Sequence, residues 1–183
     1  MTPRVFIIEG LDRLGKDVLI DGILNRCGFF QIIHFSKPRV LDIFKDDISA
    51  IVRYQQESFF NAMHIVNSKA KIIFNRSWVG EAVYSPLYRN FNGNYVFDYE
   101  LLHGIHQRTD IRLILLHENM VTARHFVDDG QGLGPVEKRA EEQERFFKAF
   151  DLSIIGDKRK ICVTDTVHGG FRPKEEILEE ALA

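Results

Sequence analysis

The chain contains 183 residues, of which 45% are hydrophobic and 27% are charged, and its formal net charge is −2. These values predict one domain, residues 1–183, with enough apolar side chains for a core. The nearly balanced charge excludes a global basic field for nucleic acid, although it allows local basic patches. No apolar run approaches the roughly 18 residues of a membrane span, and no CxxC spacing occurs, so we expect a cytoplasmic protein without membrane spans or disulfides.

Apolar runs alternate with helical patterns along the whole chain. The runs predict strands at residues 5–8, 32–35, 71–74, 111–116 and 160–163. Periodic apolar positions predict helices at about 18–24, 40–68, 81–88, 97–108, 119–127 and 136–150, and another that starts at Pro173. This alternation indicates an α/β fold, a five-stranded parallel sheet with helices on both faces.

The first strand runs directly into a segment of the form G-x-x-x-x-G-K, from Gly10 to Lys16. Between a strand and a helix, this pattern is typical of a phosphate-binding loop, whose backbone N–H groups surround an anion at a helix N-terminus. The alternative is an ordinary glycine-rich turn. The predicted ATP-binding residues are Gly10, Leu11, Arg13, Leu14, Gly15, Lys16 and Asp17.

Two acidic residues of this loop are candidate Mg²⁺ ligands. Asp17 stands where the pattern expects the Ser or Thr that contacts Mg²⁺. Its carboxylate can ligate the ion itself, or it turns away and leaves the position to water, or the site is weakened. Asp12 can hold Mg²⁺ through water or accept a proton from an attacking hydroxyl. Its alternative role is an Asx-turn within the loop.

Polar residues follow the other predicted strands, at the sheet edge where ligands bind in such folds. Arg76 comes directly after the third strand and is well placed to clamp a second phosphate. Its alternative role is an ion pair with Glu81 or Asp12. Aromatic residues nearby can form a stacking wall for a base, or simply part of the core; they are Phe59, Phe60, Trp78, Tyr84 and Tyr88.

Residues 128–140 have the composition of a lid. Glycines and a proline occupy several positions between two predicted helices, and Arg124, Lys138 and Arg139 flank them. Such a segment can close over phosphates and exclude water. The alternative is a plain connection between helices with a solvated charged surface.

The residues also resemble a known family. Residues 6–16 look like the opening of the thymidylate kinases, and Asn75-Arg76-Ser77-Trp78 looks like their Asp-Arg-aromatic motif. The segment 76–89 is similar to a form common in bacteriophage members. The resemblance implies that Gly10 to Lys16 hold the ATP phosphates, that Asp12 lies near Mg²⁺ and the acceptor sugar, and that Arg76 holds the acceptor's 5′-phosphate. It also implies that lid arginines stabilise the transferring phosphoryl group. Asn75 departs from the pattern, which has Asp there.

These observations predict a kinase that uses ATP and Mg²⁺. The acceptor is dTMP or, as in one phage branch related to the family, the hydroxymethyl group of 5-hydroxymethyluracil in DNA. For a phage protein the location is the host cytoplasm, and a homodimer is compatible with the sequence. Two rival readings remain: a non-catalytic nucleotide-binding module in which Asp17 and Asn75 are signs of decay, and a hydrolase that uses water as acceptor.

Overall fold

The computed structural model describes residues 2–35, 47–119, 138–165, 167 and 170–183. Its central element is a sheet of five strands in the order β2-β3-β1-β4-β5, with every neighbouring pair parallel. The strands are β1 Val5–Gly10, β2 Gln31–His34, β3 Ile72–Asn75, β4 Ile111–His117 and β5 Asp157–Cys162. The predicted α/β fold with a five-stranded parallel sheet is confirmed, and each strand lies within three residues of its predicted position.

The three central strands are buried along almost their whole length. Every residue of β1 and β3 is buried, as are the first six residues of β4. Because successive side chains of a strand point to opposite faces, continuous burial means that helices cover both faces of the sheet. The edge strand β2 has no fully buried residue, which fits a position with only one neighbour.

The described parts of the chain contain six helices, five between the strands and one after β5. They are α1 Lys16–Cys27, α2 Ile48–Val66, α3 Glu81–Tyr88, α4 Tyr95–Leu102, α5 Arg139–Leu152 and α6 Lys174–Leu182, with short 3₁₀ turns at Trp78–Gly80 and Ile105–Gln107. Helix α1 packs against α6, and α3 packs against α5. None of these described helices combines the length and apolarity that crossing a bilayer requires.

Several predicted helix boundaries need correction. The helix predicted at 40–68 is α2, which begins after Asp47, whose carboxylate accepts a hydrogen bond from the N–H of Ala50 at 3.0 Å; residues 36–46 lie outside the described part. The helix predicted at 97–108 ends at Leu102, because Gly104 adopts a left-handed conformation with φ 66°. The helix predicted at 119–127 and the loop at 128–135 also fall almost entirely outside the described residues.

The end of β1 passes unusually close to the neighbouring strand. Gly10 has φ 136°, and a Cβ atom there would lie 2.3 Å from the carbonyl oxygen of Leu116. Only glycine allows this conformation and this approach. The loop that follows therefore leaves the sheet at a position that the backbone of β4 determines.

This close approach generates a prediction about stability. Gly10→Ala should lower the free energy of unfolding by more than about 2 kcal/mol, because the clash is with backbone that cannot rotate away. Urea denaturation measures the effect. The matched control is Gly156→Ala, where a Cβ atom meets no other atom within 4 Å, and we expect a change within about 1 kcal/mol. Equal midpoints for the two variants would contradict the prediction.

Candidate functional site

The loop between β1 and α1 is held to the core by two leucines. Leu11 and Leu14 are each 1% exposed, so the loop curls over its own apolar side chains. Arg13 and Gly15 have positive φ values of 68° and 77°, which turn the chain sharply into α1. None of the described side chains caps the N-terminus of α1. The first N–H groups of this helix are therefore of the kind that an anion can satisfy.

Lys16 folds back over the loop. Its ammonium donates hydrogen bonds to the carbonyl oxygens of Gly10 at 3.0 Å and Leu11 at 2.6 Å, and the side chain is nearly enclosed. Burial lowers the pKa of Lys16 to about 8; the Arg76 guanidinium adds to this effect, and the nearby carboxylate of Asp12 opposes it. The lysine thus lies inside the curve of the loop.

Arg76 contacts the loop from the end of β3. Its guanidinium forms an ion pair with the Asp12 carboxylate, one of the two partners considered from the sequence. Its Nε atom is buried and has no hydrogen-bond partner in the described part of the chain. The backbone of Arg76 has φ 64°, a strained value for a residue with a side chain, of the kind that concentrates at functional sites.

Asp17 and Asn75, which both depart from the expected patterns, are in contact. The amide Nδ2 of Asn75 donates a hydrogen bond of 2.7 Å to Oδ1 of Asp17. Asn75 is 4% exposed, and its Oδ1 atom has no partner among the described residues. The two residues are 58 positions apart in the sequence, and the pairing of β3 beside β1 brings them together.

These oxygen donors fit Mg²⁺. Asp17, Asn75 and Asp12 all line one polar cavity of about 310 Å³, together with Lys16 and Arg76. The described residues contain no cluster of three or more His, Cys, Asp or Glu side chains with ligand spacing. A sparse set of oxygens suits Mg²⁺, which usually keeps several waters and takes further ligands from substrate phosphates.

Arg139, the first residue of α5, reaches the same loop from the other side. It forms an ion pair with Glu118, which follows β4, and it donates a hydrogen bond of 3.1 Å to the backbone carbonyl of Asp12. Gln143 holds the backbone N–H of Glu118 at 2.8 Å. Arg124, the other predicted lid arginine, lies outside the described residues.

Most of the predicted stacking residues belong to the hydrophobic core: Phe59, Trp78 and Tyr84 are buried in it, and Tyr88 packs against it. Tyr84 stacks on Tyr88 with a centroid distance of 6.2 Å, and the carboxylate of Asp12 is among the charges that raise the pKa of Tyr84 after burial. Trp78 is fully buried and its indole N–H donates to Glu100 at 2.8 Å. Phe59 is 4% exposed and packs on Phe35. The structure therefore gives Trp78 and Phe59 core positions, the alternative that the sequence also allowed.

Sequence reasoning missed Glu9. This carboxylate is 1% exposed and accepts hydrogen bonds from the Ser77 hydroxyl at 2.7 Å and the Gly80 N–H at 3.3 Å. Burial raises its pKa, although Lys16 and the hydrogen bonds act in the opposite direction. The one signal in the sequence that could have identified Glu9 is its position as a charged residue within an otherwise apolar strand. Glu9 joins β1 to the turn that follows Arg76.

A second cavity adjoins the loop on its outer side. It measures about 270 Å³ and its walls are mainly apolar, formed by Leu14, Val18, Leu19, Phe171 and Ile177 beside Gly15. Arg13, Gly15 and Val18 line both this cavity and the polar one. The loop thus separates a charged cleft from an apolar one of a size that suits an aromatic ring.

Comparisons with known proteins bear on the fold. No family model matches the chain, and no curated protein matches it. The chain is similar to YorR from Bacillus subtilis, solved in complex with phosphorylated GDP, with a TM-score of 0.63 at 12% identity over 96% of this chain and 92% of that one. Deoxyadenosine kinase from M. mycoides with bound dCTP gives 0.47 at 15% identity over 86% and 89%.

A gluconokinase from Sinorhizobium meliloti 1021 gives a TM-score of 0.44 at 15% identity over 98% of this chain and 90% of that one. Identities this low establish the fold alone. Together with the strand order, the likeness to YorR shows an α/β fold with a five-stranded parallel sheet, and no more than the fold.

The burial of Lys16 predicts a pH dependence of stability. Its pKa is lowered to about 8 in the fold from an ordinary value of 10.5, so the unfolded chain binds more protons between these two values. The contribution of Lys16 to stability is therefore smallest below pH 8 and increases as the pH rises toward 10.5.

Relative to Lys16→Met, the wild-type free energy of unfolding should rise by about 3 kcal/mol across this interval. Urea denaturation of both proteins at several pH values measures the difference, and the neutral methionine serves as the matched control. Parallel pH profiles for the two proteins would show that the ammonium is not buried as described.

Proposed function

We propose that the chain is an ATP-dependent phosphotransferase. The observation that carries this proposal is the convergence of three cations on one loop. Lys16 bonds the loop carbonyls, Arg76 pairs with Asp12, and Arg139 bonds the Asp12 carbonyl. They come from α1, the end of β3 and the start of α5, so the fold gathers them where a triphosphate carries its highest charge. Phosphoryl transfer needs mainly positioning and charge stabilisation of this kind.

In the proposed mechanism, the backbone from Gly10 to Gly15 binds the phosphates of ATP. Lys16 turns from the loop carbonyls to the phosphate oxygens and neutralises charge that builds up during transfer. Asp17, Asn75 and Asp12 would hold Mg²⁺, which would supply charge neutralisation to the phosphates. Arg139, which Glu118 orients, would add positive charge at the loop.

The apolar cavity beside Gly15 is the proposed binding site for the base of ATP. A nucleotide with phosphates in the polar cleft can put its ring between Val18 and Phe171, since the two cavities share Gly15 and Val18. Arg172 and Lys174 also line this cavity and can contact the ribose or base edge. A mainly apolar pocket with a few polar groups is the usual form of a nucleobase site.

The proposed acceptor is a thymidine-type pyrimidine, either dTMP or the hydroxymethyl group of 5-hydroxymethyluracil in DNA. The resemblance to thymidylate kinases supports it. Arg76 would bind an acceptor phosphate, and Asp12 would take the proton of an attacking hydroxyl. A DNA acceptor would present an extruded base. The setting is the cytoplasm, that of the host for a phage protein.

A second candidate is a nucleotide-binding module without catalysis, favoured by the replacement of the Ser or Thr position by Asp17. One experiment separates the candidates. Labelled ATP and Mg²⁺ are incubated in parallel with dTMP, dUMP, dCMP, and DNA containing thymine or 5-hydroxymethyluracil. We expect label in a thymidine-type acceptor and a loss of at least about 100-fold in Lys16→Ala.

The other outcomes are equally definite. Label only in modified DNA removes the free-nucleotide acceptor, and label only in inorganic phosphate identifies a hydrolase. ATP binding without transfer to any acceptor would establish the non-catalytic module.

A substitution at Arg76 tests whether this residue binds the acceptor or ATP. Arg76→Ala should lower kcat/KM for the acceptor by about 100-fold and change the KM for ATP by less than about threefold. Steady-state kinetics with each substrate varied in turn gives both values. Arg145→Ala, which removes an exposed arginine paired with Glu141, is the control and should leave both values unchanged. A raised KM for ATP alone would assign Arg76 to the donor.

A further inference from the structure

Three carboxylates beside the loop, Asp12, Asp17 and Glu118, have different partners. Asp12 is paired with Arg76, and Glu118 is paired with Arg139. Asp17 instead accepts its hydrogen bond from a neutral amide, that of Asn75 at 2.7 Å. Within the described part of the chain, no cation forms an ion pair with Asp17. One carboxylate therefore lies at the start of α1, beside the proposed phosphate site, without an ion-pair partner among the described residues.

Asn75 has a buried amide oxygen, Oδ1, without a hydrogen-bond partner among the described residues. This residue is only 4% exposed, and its Nδ2 donates to Asp17. A buried oxygen without a partner costs free energy and calls for an explanation. A cation, or a water bound to one, is a partner that an amide oxygen accepts and that also meets the carboxylate of Asp17.

We propose that Asp17 and Asn75 form one metal-dependent gate for the nucleotide, in which Asn75 orients the carboxylate and Asp17 rejects ATP that carries no divalent cation. This inference rests on the proposed function, because it assumes that the loop binds ATP. Without the cation, the Asp17 carboxylate faces the phosphates and repels them in a partly enclosed cleft. With the cation, the same carboxylate becomes a ligand and attracts the complex.

The Ser or Thr of the usual loop pattern cannot act in this way, because a hydroxyl is neutral and does not repel free ATP. A carboxylate contributes with opposite signs in the two states. The departure at Asp17 is then a means of selecting the metal complex of ATP, and the neutral Asn75 keeps a second negative charge from being placed next to it.

The test measures binding of a fluorescent, non-hydrolysable ATP analogue to the full chain, in excess Mg²⁺ and in EDTA. For each protein, the quantity compared is the ratio of the Kd in EDTA to the Kd in Mg²⁺. The wild-type ratio should be at least about ten times the ratio for Asp17→Asn. The decisive feature is the direction of each change. Asp17→Asn should bind more tightly than the wild type in EDTA and more weakly in Mg²⁺.

Three further variants complete the design. Asp21→Asn, one turn along α1 at an exposed position, is the matched charge control and should keep the wild-type ratio. Asn75→Ala should lower the ratio because Asp17 loses its orientation. Asp17→Thr combined with Asn75→Asp moves the carboxylate to the end of β3 and should recover tight binding in Mg²⁺. Thermal melts identify any variant that fails to fold, and the wild type alone then still decides, because equal affinities with and without Mg²⁺ refute the gate.

Asp17→Asn binding more weakly in both conditions by the same factor would overturn the inference, since it would give Asp17 a purely structural role. Unchanged affinities in both conditions would overturn it as well. A wild type that binds the analogue equally well with and without Mg²⁺ refutes the gate and leaves the nucleotide site intact. A wild type that binds in neither condition refutes the proposed function itself.

Discussion

The close passage of Gly10 along the carbonyl of Leu116 determines where the loop between β1 and α1 leaves the sheet. Because β1 lies between β3 and β4, the residues that follow all three strands meet at this point. Arg76 and Glu118 owe their positions beside the loop to this strand order rather than to local sequence. A side chain at residue 10 would separate the strands and disperse the site.

Charge balance shapes the rest of the site. Arginines from two different elements neutralise Asp12 and Glu118, and Lys16 is held by carbonyl oxygens in a nearly enclosed position. Such an arrangement keeps the cations close together, because carboxylates hold the two arginines and carbonyl oxygens hold the lysine until a phosphate competes for them. A triphosphate entering the cleft would exchange these internal partners for its own oxygens. In the same arrangement, the hydrogen bond to the Asp17 carboxylate comes from the neutral amide of Asn75.

The strands and the loop could be predicted from the sequence because their determinants are local. Continuous apolar runs mark the buried strands, and the spacing of Gly10, Gly15 and Lys16 marks the loop. The break at Gly104 was missed because the apolar pattern continues on both sides of it. The sequence could not assign Trp78, because an aromatic residue after a strand is equally compatible with a core position and with a stacking wall for a base.

The contacts within the site could not be predicted in the same way. Asp17 and Asn75 are each visible as a departure from a pattern, but their hydrogen bond depends on the pairing of β1 with β3. The contact of Arg139 with the Asp12 carbonyl likewise joins residues 127 positions apart. Glu9 was hidden because its role depends on burial, which single-sequence patterns do not report for one charged residue.

Calorimetric titration of the chain with Mg²⁺ and ATP tests the central claim most directly, because it asks only whether the loop binds a triphosphate. The account predicts saturable binding of one nucleotide per chain, with most of the heat lost when Lys16 is replaced by Ala in a protein that still melts cooperatively. No heat with the wild type, or equal heat with both proteins, would contradict it.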